Sequence, residues 1–390
     1  MKQKKKMDQC KMKIENRKAV MEQIKQEDHV SRADLAKKLY MSPTSMTRIC
    51  GDLLELGLIR EIQSDTGSSV GRKAMWVQKD PEAFYSLGIL IRRDFISFIV
   101  IDYDKQIRFE RQWKEEVGDQ PKDVIQSIGK HIKEIQLNES EVFSKVEAVG
   151  VSFPGIVDEE GRNIRYSDLF GWKNISFVKY LEEEIKIPCY LARDIKASII
   201  EEFHAGGMQE NSLGFLSLSQ EIGAAFLYHG EVIYGADGIC GEIAHKTVVW
   251  NGRDCKCGRR GCADAYLSEK ALLQRAKEKG ASCQKLSEIA DAYQIKESWA
   301  DELLQESADI ITLLIEDMIA WNNPERIILG GRTVRYFPEI IQMVRKRMRQ
   351  DLSDISAGTE MIASRNAGNE SMLGAAYIAM DANETAKIYL

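Results

Sequence analysis

No stretch of this 390-residue chain is apolar for long enough to cross a bilayer: Phe95–Ile101 is a typical apolar run, bracketed by Asp94 and Asp102, whereas a spanning helix needs ~18 such residues. The amino-terminal segment also lacks the apolar core of an export signal, because Met1–Glu15 is nearly all polar. A soluble, cytoplasmic protein without membrane contact is the expectation. Proline is scarce, with 7 residues, and hydrophobic residues make up 44% against 29% charged, which excludes collagen-like and disordered chains. Internal repeats are not evident, and the one low-complexity stretch, with Lys2, Lys4, Lys5 and Lys6, reads as a frayed, solvated tail. A disulfide framework is missing too. Of eight cysteines, Cys10, Cys50, Cys189, Cys240 and Cys283 are scattered, and only Cys255, Cys257 and Cys262 cluster.

The length is enough for two to three domains of about 150 residues, and the charge shows where one of them ends. Residues 1–80 hold 17 Lys/Arg against 11 Asp/Glu, a surplus of +6, so the rest carries −12 of the overall −6 (37 against 49). A basic reader of nucleic acid ahead of an acidic body fits that asymmetry. Pro81 marks the boundary, giving modules 1–80 and 81–390.

The first module shows three helical periods. Ile14, Ala19, Val20 and Ile24 share one face of a helix over Ile14–Gln26. Ser31 caps a second helix that runs to about Tyr40, with Asp34 in its first turn. Ser42 caps a third, with Pro43 at a position where its missing N–H costs nothing and Gly57 beyond its end. Leu58–Gln63 and Ala74–Gln78 read as two wing strands. This is a winged helix-turn-helix, whose third helix presents Ser42, Thr44, Ser45, Thr47 and Arg48 to a major groove while Arg72 and Lys73 of the wing reach the backbone or minor groove. A basic three-helix protein-interaction domain has the same periods; the charge and the wing favour double-stranded DNA.

Beyond Pro81, Tyr85–Ile91, Phe95–Asp102 and Gln106–Trp113 form a meander of strands. Strands and helices then alternate in an α/β pattern: Ala148–Phe153, Cys189–Ala192, Ile195–Phe203, Gly214–Ser219, Glu302–Asn322 and Arg326–Leu329. The strongest chemical signal is Cys255-Lys-Cys257-Gly-Arg-Arg-Gly-Cys262, ten residues after His245. Three thiolates and one imidazole fill the tetrahedral shell of Zn²⁺, so one structural zinc per chain is expected on His245, Cys255, Cys257 and Cys262.

Those same residues carry a resemblance. Gly241-Glu-Ile-Ala-His245 followed by Cys-x-Cys-Gly-x-x-Gly-Cys resembles the signature of the ROK family of repressors, open reading frames and sugar kinases. Gly150–Val157, Leu169–Trp172, Ile187–Leu191, Asn323–Gly331 and Leu373–Ala376 resemble further ROK landmarks in the same order, so the likeness runs from residue 81 to about 385. With the helix-turn-helix in front, the chain is similar to the xylose and N-acetylglucosamine repressor branch. The resemblance implies a two-lobed, actin-like (ribonuclease H-like) fold: a smaller lobe of about 81–192 plus the C-terminal helix, a larger lobe of about 193–373, and a sugar cleft between them. It also implies a homodimer or homotetramer on a roughly palindromic operator.

Departures from the family pattern separate regulator from enzyme. Where ROK kinases have an Asp-x-Gly-x-Thr phosphate loop, this chain has Leu90-Ile-Arg-Arg-Asp94, and the second phosphate loop reads Ser219-Gln-Glu-Ile-Gly223. Only Gly330-Gly331 remains of the nucleotide side. By resemblance, Asp194 occupies the relic position of the catalytic base, and Glu242, His245 and Asp264 occupy positions of sugar contacts, Asp264 in place of Glu. Arg193 and Asp168 each stand where the family has Asn. Arg193 either pairs with Asp194 or receives an acidic or phosphorylated ligand, since a guanidinium only donates. Trp172 reads as core before it reads as a sugar platform. A DNA-binding repressor that senses a carbohydrate or related metabolite, and is not an enzyme, is the leading expectation; a ROK sugar kinase with an accessory domain and a ligand-free scaffold are the alternatives.

Overall fold

The computed structural model describes residues 2–27, 29–63, 75–207, 210–351 and 358–390, with side chains from residue 11 onward except 349–351. The basic module comprises α1 (Lys2–Lys25), β1 (Val30–Ser31), α2 (Arg32–Lys38), α3 (Pro43–Glu55), β2 (Ile59–Gln63) and β3 (Met75–Lys79). Its helix starts follow the predicted caps: Ser31 accepts the N–H of Asp34, and Ser42 that of Ser45. Val20, Met21, Ile24, Leu35, Met46, Ile49, Leu53 and Val77 close the core. Two features differ from the sequence reading. The helix α1 extends back to Lys2, through the stretch expected to fray. The wing gains a third strand, because β1 pairs with β3 opposite β2.

The acidic body is built on two five-stranded sheets. The first takes β4 (Tyr85–Ile91), β5 (Phe95–Asp102) and β6 (Ile107–Lys114), then α4 (Pro121–Asn138), α5 (Ser140–Phe143) and β7 (Val146–Phe153). A small antiparallel sheet of β8 (Ile156–Val157), β9 (Ile164–Ser167) and β10 (Trp172–Ile175) precedes α6 (Phe177–Ile185) and β11 (Cys189–Arg193). After α7 (Asp194–Ala205) the second sheet begins with β12 (Ser212–Leu218), β13 (Ile222–Tyr228) and β14 (Glu231–Val232). Four helices follow, α8 (Asp264–Leu267), α9 (Glu269–Glu278), α10 (Leu286–Gln294) and α11 (Ser298–Asn322). The chain ends with β15 (Arg326–Gly330), α12 (Arg332–Tyr336), α13 (Ile340–Asp351), β16 (Glu360–Ala363) and α14 (Glu370–Tyr389).

The sheet orders are β11-β7-β4-β5-β6 and β14-β13-β12-β15-β16. Numbered within each sheet, both read 3-2-1-4-5: an antiparallel meander with two parallel strands added on the other side of its first strand. The duplication was not read from the sequence, because topology requires little more than apolar strands and the sequence likeness between the halves is short. The equivalent first strands do share a short run: β4 reads YSLGILI and β12 SLGFLSL, so Ser86-Leu-Gly-x-Leu90 matches Ser212-Leu-Gly-x-Leu216. Among the described residues no helix is long and apolar enough to cross a membrane.

The helix α14 lies against the first sheet and α7 at main-chain distance. A Cβ on Gly150 of β7 would stand 1.8 Å from the Ala375 carbonyl oxygen, and one on Gly374 of α14 would stand 1.7 Å from that of Ala197. No side chain fits in either place. At its other end α14 holds the basic module: Arg17 donates to the Ile388 carbonyl at 2.9 Å while its Nη2 meets Asp52 of α3 at 3.0 Å. One continuous apolar cluster joins Met21 and Ile24 to Phe84, Ile101 and Tyr103, and these to Met380 and Ile388.

Replacing Gly374 by Ala therefore forces two packed backbones apart and should cost about 3 kcal/mol or more. Gly51→Ala, in a helix interior with nothing within 4 Å, should be neutral or stabilise by about 0.5–1 kcal/mol. Urea midpoints of the two variants against the parent check both; equal midpoints would refute the main-chain clash.

Candidate nucleic-acid interface, cleft and metal centre

In the basic module α3 turns Met46, Ile49, Cys50 and Leu53 inward. That leaves Ser42, Thr44, Thr47 and Arg48 exposed and Ser45 half-buried on the outer side of its first two turns. Ser42 and Ser45 are joined Oγ to Oγ at 2.9 Å, and Thr47 donates to the Pro43 carbonyl at 2.9 Å, so these hydroxyls are pre-oriented. Arg48 makes no such tie and projects freely among the described residues. Tyr40, in the turn before α3, is 98% exposed with φ +50°, and sequence reading passed over it. An aromatic residue in the turn of a helix-turn-helix was the available signal. Arg72 and Lys73 lie outside the described residues.

The four predicted metal ligands converge. Their ligand atoms all lie within 4.8 Å of one another, with Cys255 Sγ 3.5 Å from His245 Nδ1 and Cys257 Sγ 3.7 Å from Cys262 Sγ. A tetrahedron with Zn–S bonds of ~2.3 Å has S···S edges of about 3.8 Å, so the donors stand at zinc spacing. A disulfide, at ~2.05 Å, is excluded for the Cys257–Cys262 pair. Gly261 makes the return of the chain possible: its φ is +76°, and a Cβ there would meet the Val249 carbonyl oxygen at 1.7 Å. The donor set, one imidazole and three thiols with no carboxylate, fits a closed structural zinc site.

Between the two sheets a cleft of ≈ 360 Å³ opens at the carboxyl ends of β4, β7, β11, β12 and β15. Of the predicted ligand residues Arg193 and Asp194 line it. The Arg193 guanidinium pairs with Glu242, not with Asp194, leaving its Nη1 buried without a partner. Asp194 is instead taken by Arg92, at 3.2 Å, from the segment that replaces the phosphate loop. Asp168 is exposed, accepts from the Tyr166 hydroxyl, and together with Asp264 lies within electrostatic reach of Lys256. Burial pushes the Asp264 carboxyl up, while Lys256 and His245 act to lower it. His245, one of the four clustered donors, thus also acts on Asp264. Trp172 is core: it is 4% exposed, stacks on Phe153 and donates to the Asp119 carbonyl.

The side of the cleft that the resemblance assigns to a nucleotide is filled by the chain's own groups. Glu370 accepts from the backbone N–H of Gly331 at 2.9 Å and of Gly368 at 2.6 Å, so the surviving glycine pair already faces a carboxylate. Glu221 meets Lys256 at 3.2 Å. Like charge at those two positions repels a phosphate chain. The residues missed by sequence reading are the partners, Arg92, Lys256 and Glu370; Arg92 sits in a motif already recognised as altered, whereas nothing local marked Glu370.

Beneath the cleft two further carboxyls are buried on α7. Burial, reinforced by neighbouring Glu202, lifts Glu201 to about 8, and burial, reinforced by Glu370, lifts Glu202 to about 7.

Sequence comparisons place this architecture among known proteins. A profile described as ROK family matches residues 86–382, and one described as winged helix-turn-helix DNA-binding matches residues 15–60. The chain is 24% identical over 380 residues to the xylose repressor of Bacillus spizizenii, covering 96% of this chain and 97% of that protein. It is 27% identical over 332 residues to the N-acetylglucosamine repressor of Escherichia coli O6:H1, covering 81% and 80%. A crystal structure titled as a ROK family transcriptional regulator, homolog of the E. coli MLC protein, superposes with a TM-score of 0.82 at 22% identity over 97% of each chain, which shows the same fold.

Because Glu201 and Glu202 hold protons in the folded chain that the unfolded chain, near 4.5, has lost, stability should fall as pH rises from about 4.5 to 8. Glu201→Gln should flatten that fall by about 3 kcal/mol in urea titrations at pH 5 and pH 8. An unchanged difference between the two pH values would count against the raised Glu201.

Proposed function

The chain belongs to the ROK family, and from that premise we propose that it is a transcriptional repressor whose cleft senses a carbohydrate or related metabolite. It is a repressor-type member with a DNA-binding helix-turn-helix, not a sugar kinase; the relatives named above, matched over 81–96% of this chain, are repressors. One observation carries the reading: Glu370 and the Glu221–Lys256 pair fill the nucleotide side of the cleft, while α3 of the basic module keeps Thr44, Thr47 and Arg48 exposed.

In this reading residues 1–80 bind DNA and residues 81–390 sense the ligand, through a smaller lobe of about 81–192 plus the C-terminal helix and a larger lobe of about 193–373. Ser42, Thr44, Ser45, Thr47, Arg48, Arg72 and Lys73 contact DNA, with Tyr40 beside them. Asp168, Arg193, Asp194, Glu242, His245 and Asp264 face the ligand. An entering ligand competes for the groups now held as Arg92–Asp194 and Arg193–Glu242, which alters the seam between the lobes. Two copies, or four, in the cytoplasm then read a pseudo-palindromic operator. His245, Cys255, Cys257 and Cys262 hold one structural Zn²⁺, which supplies a rigid cross-link for the loop that carries Lys256.

Footprinting should show a two-fold symmetric protected site, and Arg48→Ala should weaken it by about tenfold or more, the worth of one base-edge contact. A melting-temperature screen of sugars, sugar phosphates and sugar acids supplies the effector, which should change that protection. Absence of any sequence-specific protection at moderate salt would defeat the reading. Elemental analysis should find about one zinc per chain; Cys262→Ser should lose it and lower the melting temperature. Freshly purified protein without zinc would remove the metal assignment.

A further inference from the structure

A second and larger cavity, ≈ 970 Å³, lies where the basic module meets the body. Its walls come from α1, β3, the turn between β5 and β6, α7 and α14, with Ile200, Phe203, Met380 and Ile388 as apolar surface. Most of its charged groups are already matched. Lys25 meets Glu384 at 2.6 Å, and the same carboxylate takes the Tyr103 hydroxyl at 2.6 Å. Lys79 meets Asp104 at 2.8 Å, and His204 lies 3.0 Å from Asp381.

Lys105 differs. It makes no ion pair among the described residues, and its Nζ lies 5.7 Å from the centre of the Tyr377 ring. It is half-buried, and burial together with Lys79 lowers its ammonium to about 8. Its backbone φ of +66° is the left-handed conformation that a lysine adopts only at a cost. A strained turn thus holds a cation without a contact ion pair, favoured only at longer range by Asp381 and Asp104, at the wall of a cavity large enough for a metabolite. Desolvating an unpaired charge is unfavourable, and an anion in the cavity would offset it.

We propose that this junction cavity binds a small organic anion, bearing a phosphate or a carboxylate, with Lys105 as its principal charge partner and the apolar wall against its carbon frame. The site is independent of the interlobe cleft. Because its walls belong to the DNA-binding module and to the body at once, an occupant stabilises their docked arrangement by mass action and so changes operator affinity.

The test uses the full chain with inorganic phosphate and with citrate, each against sodium chloride of equal ionic strength, read by melting temperature and by titration calorimetry. The parent should show saturable stabilisation by at least one of the two. Lys105→Asn keeps a residue suited to the left-handed turn and should weaken that binding by about tenfold or more, the worth of a charged hydrogen bond. Lys105→Arg should retain it, as should Arg193→Asn, which alters only the cleft. The ratio of the phosphate and citrate affinities identifies the preferred headgroup. Failure of both anions to stabilise the parent saturably overturns the proposal. So does an equal response of Lys105→Asn, which would be a general salt effect.

Discussion

The arrangement depends on the contact of α14 with the first sheet and with α7. Most helix packing is mediated by side chains that can repack when a neighbour changes. Here carbonyl oxygens of Ala375 and Ala197 occupy the space where Gly150 and Gly374 would carry a Cβ, so the separation is set by main chain and has no slack. The consequence reaches both ends of the helix. Its first residue, Glu370, caps the glycine turn at the cleft, and its last turn receives Arg17 of the DNA-binding module. One rigid rod therefore touches the cleft at one end and the DNA-binding module at the other.

The cleft itself uses a different economy. Arg193 and Asp168 are the positions that the resemblance assigns to neutral amides, and the chain answers the Arg193 cation within its own walls, through Glu242, while Arg92 covers Asp194. Paired carboxylates are poorer acceptors for hydroxyl groups than free ones, so a ligand must either displace a guanidinium or bring its own charge to it. The unpartnered Nη1 of Arg193 marks where such a contact costs least. The zinc-spaced loop contributes Lys256 to the same surface, which ties the metal region to the cleft by charge and not only by covalent connection.

Much of this was legible in the sequence because it rests on local rules. The caps at Ser31 and Ser42, the Pro43 start, the meander after Pro81 and the convergence of His245 with three cysteines each follow from spacing and from the chemistry of a few neighbouring residues. What sequence could not supply was long-range. The pairing of Val30 with Val77 joins residues on either side of two helices. The choice of Glu242 over Asp194 as the partner of Arg193 depends on a loop almost fifty residues away. Glu370 looked like an ordinary helix-start acid, and its role became visible only when β15 brought Gly331 against it. The duplicated sheet order escaped notice because the run that β4 and β12 share, Ser-Leu-Gly-x-Leu, is too short to stand out against ordinary apolar strands.

The Glu370 cap also bears on ancestry. A lineage carrying this cleft could regain an acid at Leu90 or lose the charge of Glu221 by single changes, and neither would restore a nucleotide site, because the carboxylate of Glu370 would still hold the N–H groups of Gly331 and Gly368. Removing Glu370 first would strand the buried N–H of Gly331 and the half-buried one of Gly368 before any phosphate could use them. Single changes therefore do not open this side of the cleft to a phosphate; the removal of Glu370 and the changes at Leu90 and Glu221 would have to come together.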